Sequence, residues 1–176
     1  MRRLVLTLVC ALIAVPAAVA ATRSPGDGVF ELNDVYGNVV IGLNQPARGA
    51  AWGQMAHGIL RATDPTGPTD GTVLVSGYES RHVIPATDTT PRMVVYAGDG
   101  IHFRVTGGKY RLSFTGADIN LTAVGVGVAQ LTGDPKADDP GQWSKDSGAW
   151  QEVPVSTDPA APAIVSFGTQ PTTTGP

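Results

Sequence analysis

The alternation of apolar and polar residues over residues 101–131 constrains the fold more than any other feature of the sequence. A period of two is typical of half-buried β-strands, because successive side chains along a strand point to opposite faces of the sheet. Alternating runs flank Gly107-Gly108, and a second turn is predicted at residues 116–118. Gly125 and Gly127 indicate a bulge or a bend near the end of the stretch. The pattern therefore predicts an antiparallel meander of about four strands.

The glycine pair at residues 107–108 suits a two-residue hairpin turn, since glycine adopts a positive φ without a steric penalty. Such a turn pairs Val105 with Tyr110 and Phe103 with Leu112. The large apolar side chains of both strands then lie on one face, which supports this register independently.

The same register places four basic side chains on the opposite face of the hairpin: His102, Arg104, Lys109 and Arg111. Arg104 stands directly opposite Arg111, and like charges in that position destabilise a sheet. Either the two side chains separate into water or an anion lies between them. We therefore treat the four residues as candidate ligand-binding residues for an acidic polymer or for a carboxylate of a partner.

Residues 1–20 have the three parts of a secretory signal peptide: Arg2-Arg3, an apolar run up to Val15, and small residues before a cleavage site at Ala20. The apolar run is too short to span a bilayer, and no later segment is long enough. We expect export and cleavage after Ala20; the alternative is an uncleaved anchor. The mature chain would then be a single all-β domain at residues 21–169 with a disordered tail at 170–176.

Charge and composition narrow the choice of partner and fold. Loss of Arg2 and Arg3 from the 12 basic residues would leave 10 against 15 acidic ones, a net charge of −5. This balance argues against nucleic acid as the partner. Cys10, the one cysteine of the sequence, lies in the signal peptide, so no disulfide is expected in the mature chain. The 22 glycines are typical of many short strands joined by turns.

The rest of the chain also predicts strands and turns, and no helix. Turns are expected at Tyr36-Gly37, near His57-Gly58 and at residues 98–100, each between two short strands. A hairpin is expected at residues 142–153 and a last strand at 163–167. The predicted fold class is an all-β antiparallel β-sandwich of about ten short strands. A β-solenoid is the alternative.

Two further groups of residues are candidate ligands. Asp134, Asp138 and Asp139 lie in one loop and are candidate calcium ligands, because calcium takes several oxygen ligands at once. The alternative is an ordinary turn with no cofactor, since aspartate is a common turn residue. Trp143 and Trp150 are candidate sugar-stacking residues, with Trp52 as a third aromatic; the alternative is burial in the core.

No catalytic residue is indicated. The sequence has no nucleophile elbow, phosphate loop, zinc signature or EF-hand loop. His57, His82 and His102 are far apart in the chain, and none has the spacing of metal ligands.

Three segments carry a resemblance to a group of known proteins: Trp52-Gly53-Gln54, FRVTGGKYRL at residues 103–112, and INLTAVGVG at residues 119–127. Between Ala50 and Trp150 the chain resembles small secreted β-rich proteins of Gram-positive actinobacteria. The resemblance implies a secreted β-fold and no particular activity.

These features predict a secreted or envelope-associated, non-catalytic structural or binding module for an anion or a glycan. The expected partner is a cell-wall polymer or another envelope protein. The mature chain itself is expected to have no transmembrane segment. The alternative is a hydrolase of envelope glycans with unidentified catalytic residues. A carboxylate pair in a cleft would favour the enzyme, whereas a basic or aromatic flat face would favour binding.

Overall fold

The computed structural model of the protein describes residues 24–44, 49–64, 71–158 and 161–169. The predicted signal peptide and tail lie outside the described residues. In the described part no helix is long and apolar enough to cross a membrane. The strands are β1 Gly28–Leu43, β2 Ala50–Asp64, β3 Gly71–Ser76, β4 Ser80–Ile84, β5 Arg92–Gly107, β6 Arg111–Gly125, β7 Gly127–Gly133, β8 Gln142–Lys145, β9 Gln151–Glu152 and β10 Ala163–Phe167.

These ten strands form one sheet with the order β10-β7-β1-β6-β2-β5-β3. Outside that path, β4 pairs with β5, β8 pairs with β1, and β9 pairs with β8. The strand β2 lies inside the sheet and pairs with β6 along one side and with β5 along the other over nearly its whole length. All of these ladders are antiparallel.

The strand β2 cannot be straight, because a short connection joins its two neighbours, β5 and β6, and these pair with opposite ends of β2 on either side of that connection. Thr106 of β5 pairs with Ala50 at the start of β2, and Arg111 of β6 pairs with Thr63 near its end. A straight strand from Ala50 to Thr63 would be about 43 Å long. The chain from Thr106 to Arg111 spans at most about 18 Å. The sheet therefore folds back on itself, and the two halves of β2 lie in different layers.

Four long strands, β1, β2, β5 and β6, run through both layers and bend between them. The first layer contains residues 28–35, 50–55, 101–107 and 119–125 of these strands, with β3, β8 and β9. The second layer contains residues 37–43, 57–64, 92–99 and 111–117, with β4, β7 and β10. We call the turning points the bent edge: residues 34–37, 56–58, 98–100 and 116–118.

The hydrophobic core lies between the two layers. Phe103 of the first layer contacts Phe114 of the second, with ring centroids 4.8 Å apart. Phe30 and Phe167 make a similar contact at 5.6 Å. All four rings are buried. These contacts explain the alternation in the sequence, because the apolar residues of each layer face the other layer and the polar residues face outward.

The predicted all-β sandwich is confirmed, whereas the predicted meander is wrong. The strands β5 and β6 flank β2 and do not pair with each other. Phe103 pairs with Gly53 near the start of β2, and Leu112 pairs with Ala62 near its end. Gly107 and Gly108 do have the positive φ expected of a tight reversal, at 68° and 74°. That reversal leads from one layer to the other. The strands β5 and β6 therefore face the same core from opposite layers and form no hydrogen-bonded pairs with each other.

The turns predicted within β1, β2, β5 and β6 are bends in continuous strands, so these four strands have 15 or 16 residues instead of being pairs of short ones. Gly37 and Gly58 have φ values of 144° and 143°. A Cβ on Gly58 would collide with the carbonyl oxygen of Thr115. Glycine is therefore needed here because backbones come close together, as well as for its φ.

Other expectations for the chain are borne out. The hairpin of β8 and β9 pairs Trp143 with Gln151, and the last strand is β10. Chain direction changes between β6 and β7 at Gly125, where φ is 130°. The short strand β4 was not predicted, because its sequence SRHVI has no clear alternation.

Substituting alanine for Phe103 tests the packing between the layers. The ring is 4% exposed and lies against Phe114, so we expect Phe103→Ala to lower the free energy of unfolding by about 3–5 kcal/mol. The matched control is Leu74→Ala, because Leu74 is 60% exposed on the outer face of β3, and its effect should stay within about 0.5 kcal/mol. Urea unfolding measures both. Equal effects of the two substitutions would contradict the burial of Phe103.

Candidate functional site

A groove of about 620 Å³ lies over the bent edge, where β1, β2 and β6 pass between the layers beside the end of β7. We call it the corner groove. Gly37 and Gly116 line it where neighbouring backbones approach closely, and Gly133 lines it where the side chains of Pro140 and Val155 pack against the chain. The side chains that give it chemical character are Tyr36, Asn38, His57, Thr115, Thr132 and Asp134, with residues 156–157 beside them.

Two hydrogen bonds orient the side chains that β1 contributes to the corner groove. The hydroxyl of Tyr36 bonds to the Asp118 carboxylate; this bond, followed by the negative charge of Asp118, raises the pKa of Tyr36. The hydroxyl of Thr115 donates to Oδ1 of Asn38 at 2.8 Å. The amide NH₂ of Asn38 has no partner among the described residues, so it is free to donate to a ligand.

His57 and Asp99 form a pair beside these groups. They lie directly opposite each other in the β2–β5 ladder, and the Asp99 carboxylate bonds to Nδ1 of His57. Both side chains are largely exposed. The hydrogen bond to Asp99, and then its charge, raise the pKa of His57. Because Nδ1 is occupied, Nε2 is the ring nitrogen left for a ligand.

Carboxylates also stabilise the first-layer side of the bent edge. Asp34 and Asp118 have φ values of 51° and 50°, a conformation that aspartate tolerates better than most residues. The side chain of Asn120 donates to Oδ1 of Asp34 at 3.0 Å and accepts from the Asp34 backbone N–H at 3.1 Å. This exchange ties the bend of β1 to the bend of β6, which fixes the groove's position on rigid strands.

The structure separates the four basic residues that the hairpin register had placed on one face. His102 and Arg104 are exposed on the outer face of the first layer, where Arg104 lies opposite Trp52 of β2. Lys109 and Arg111 line a second groove, of about 290 Å³, which lies on the second layer. The predicted pairing of Arg104 with Arg111 is therefore wrong, because β2 lies between their strands.

The tryptophans do not form one platform. Trp143 stacks on Phe30 with a centroid distance of 6.3 Å and is partly buried against the core. Its indole Nε1 is buried and has no hydrogen-bond partner among the described residues. Trp150 is 48% exposed and Trp52 is 37% exposed. Whether Trp143 or Trp150 contacts a sugar stays a prediction.

The acidic loop has local structural bonds. Oδ1 of Asp134 accepts from the backbone N–H of Lys136 at 2.9 Å, and Oδ1 of Asp139 accepts from that of Gly141 at 2.8 Å. Asp138 is exposed. Among the described residues, no three His, Cys, Asp or Glu side chains gather in a way that would hold a metal ion. Calcium binding stays a prediction for this loop.

Tyr36, Asn38, His57 and Asp99 were not identified as site residues from the sequence. Tyr36, His57 and Asp99 lie beside glycines in segments predicted to be turns, and Asn38 begins the strand predicted after the first of these turns. Polar residues beside glycine are common in turns of every kind. The missing information was that these turns stack side by side at one edge. No protein-family model, curated protein or solved structure matches the chain.

Replacing Asp99 tests the His57–Asp99 pair. The fold raises the pKa of His57 above its ordinary value of 6.5, so this pair stabilises the fold below pH 6.5 and loses that effect as pH rises through the folded pKa. We expect Asp99→Asn to lower the pKa of His57, measured by an NMR titration of its ring protons. Identical titration curves for the two proteins would contradict the pairing.

Proposed function

We propose that the protein is an exported, non-catalytic binding module that holds a carbohydrate in the corner groove. The observation that carries this proposal is the Tyr36 ring, 38% exposed in a concave groove beside the free amide of Asn38. A sugar ring offers an apolar face that stacks on an aromatic ring, and hydroxyls that need donors and acceptors around it.

The remaining groups of the groove have the chemistry that sugar hydroxyls require. The hydroxyl of Thr115 and the carboxylate of Asp134 can accept hydrogen bonds, and the amide of Asn38 can donate them. Nε2 of His57 accepts a hydrogen bond when the ring is neutral and donates one when the ring is protonated. Because strands carry most of these groups, little side-chain or backbone order has to be gained on binding. This favours a preformed site over one assembled by a mobile loop.

The expected signal peptide supports a location outside the cytoplasm, where cell-wall polymers are the abundant carbohydrates. The acidic charge of the chain is consistent with a partner other than nucleic acid. A cell-wall glycan is therefore the ligand we propose, with another envelope protein as the alternative partner.

A hydrolase of envelope glycans is the second candidate, and the His57–Asp99 pair is the observation that favours it. A carboxylate that orients a histidine is part of several hydrolytic sites. Most glycoside hydrolases instead use two carboxylates on either side of the scissile bond. His57 and Asp99 are also largely exposed, whereas a catalytic pair gains from exclusion of water. Binding without turnover is therefore better supported.

Calorimetric titration with soluble, neutral fragments of cell-wall glycan tests the binding proposal. Tyr36→Ala should weaken binding by about tenfold, which corresponds to about 1.4 kcal/mol. The matched control is Tyr78→Ala, because Tyr78 is equally exposed, at 38%, and does not line the groove. No binding by the wild type, or the same affinity for the Tyr36 and Tyr78 variants, would refute the carbohydrate site.

The same samples distinguish the enzyme from the binding module. Release of new reducing ends by the wild type, lost in His57→Ala, would establish the hydrolase and replace the binding proposal. We expect no release of reducing ends from either protein.

A further inference from the structure

The correct strand register gives Arg111 a different basic neighbour from the one expected. In the β2–β6 ladder Arg111 pairs with Thr63, and Arg61 pairs with Ser113. Arg61 and Arg111 are therefore diagonal neighbours on the outer face of the second layer, about 7–8 Å apart. Long guanidinium side chains at this distance can reach a common ligand.

On its other side, Arg111 lies beside an open depression in the sheet. It pairs with Gly42 of β1, which in turn pairs with Val128 of β7. A Cβ on Gly42 would meet only the carbonyl oxygen of Val128, at 3.9 Å. The absence of a side chain at Gly42 thus leaves the groove of about 290 Å³ that Arg111 and Lys109 line. We call it the Gly42 groove.

The Gly42 groove is basic although the chain is acidic overall. Lys109 and Arg111 bring two positive charges, Asn44 and Gln130 bring two amides, and no Asp or Glu of the described part of the chain lines it. Among the described residues neither Lys109 nor Arg111 has an ion pair. Two like charges without a counter-charge are a cost to the fold unless water or a bound anion screens them.

The Gly42 groove and the corner groove lie along the same strands. Asn38 pairs with Thr115 and Thr132 at the corner, and Gly42 pairs with Arg111 and Val128 four residues further along β1. Four residues of a strand cover about 13 Å, and alternate residues of β1 point to the same outer face. A short oligosaccharide spans this distance.

We propose that the Gly42 groove binds an oxyanion, a phosphate or a carboxylate, of an acidic glycan that lies along β1 between the two grooves. The guanidinium of Arg111 can donate two parallel hydrogen bonds to such a group. Lys109 adds a second charge, and the amides of Asn44 and Gln130 add neutral donors. The oxyanion site depends only on the Gly42 groove, whereas its assignment to a glycan rests on the proposed carbohydrate function.

Titration with inorganic phosphate tests the oxyanion site alone, with backbone NMR shifts as the readout. Arg111→Gln removes the guanidinium group and its charge, whereas Gly42→Val fills the depression without changing the charge. Each should weaken phosphate binding by at least about tenfold. The matched control is Arg81→Gln, an exposed arginine on β4 outside the groove, which should bind phosphate as the wild type does. No binding by the wild type, or equal loss in the control, would overturn the site.

Binding of an acidic glycan, a glycerol-phosphate-substituted cell-wall polymer, tests the path along β1. We expect Tyr36→Ala and Arg111→Gln each to weaken polymer binding, and only Arg111→Gln to weaken phosphate binding. Loss in the Arg111 variant alone would refute the carbohydrate site and leave the oxyanion site standing. Loss in the Tyr36 variant alone would refute the assignment of the oxyanion site to the glycan and leave the carbohydrate site standing. Tighter binding to anionic lipid vesicles than to the polymer would overturn the glycan assignment in favour of a membrane surface.

Discussion

The close approach of neighbouring backbones at the bent edge is the constraint on which the rest of the structure depends. Gly58 of β2 pairs with Gly98 on one side and with Gly116 on the other. A Cβ on Gly116 would collide with the carbonyl oxygen of His57. Because the strands bend together at these glycines, the β1–β6, β2–β5 and β2–β6 ladders continue from one layer into the next. Backbone groups are therefore paired on both sides of the bend.

This arrangement also positions the side chains of the corner groove. The polar residues beside the bends belong to different strands, but the bends stack in register and bring them to one edge. Tyr36, Asn38 and His57 are therefore held by paired strands. The outer face of β1 continues from Asn38 past Val40 to Gly42, so a single strand connects the corner groove with the Gly42 groove.

The sequence alone predicts the secondary structure class, the core-facing residues and nearly all the positions where the chain changes direction. Phe103 and Leu112 face the core as the alternation required. What local sequence cannot distinguish is a hairpin from a reversal that changes layers, because Gly107-Gly108 permits both. The predicted basic site depended on that choice. Lys109 and Arg111 do share a groove, but Arg104 lies on the other layer, and the basic neighbour of Arg111 in the adjacent strand is Arg61, which does not line the groove.

Backbone nuclear Overhauser effects test most directly whether β2 bends and pairs with both β5 and β6. If β2 lies between β5 and β6 and bends with them, contacts should be seen from Gly58 to both Gly98 and Gly116. Contacts should also be seen from Trp52 to Arg104. A ladder of contacts between β5 and β6 themselves, with Val105 next to Tyr110, would contradict this arrangement and with it both proposed grooves.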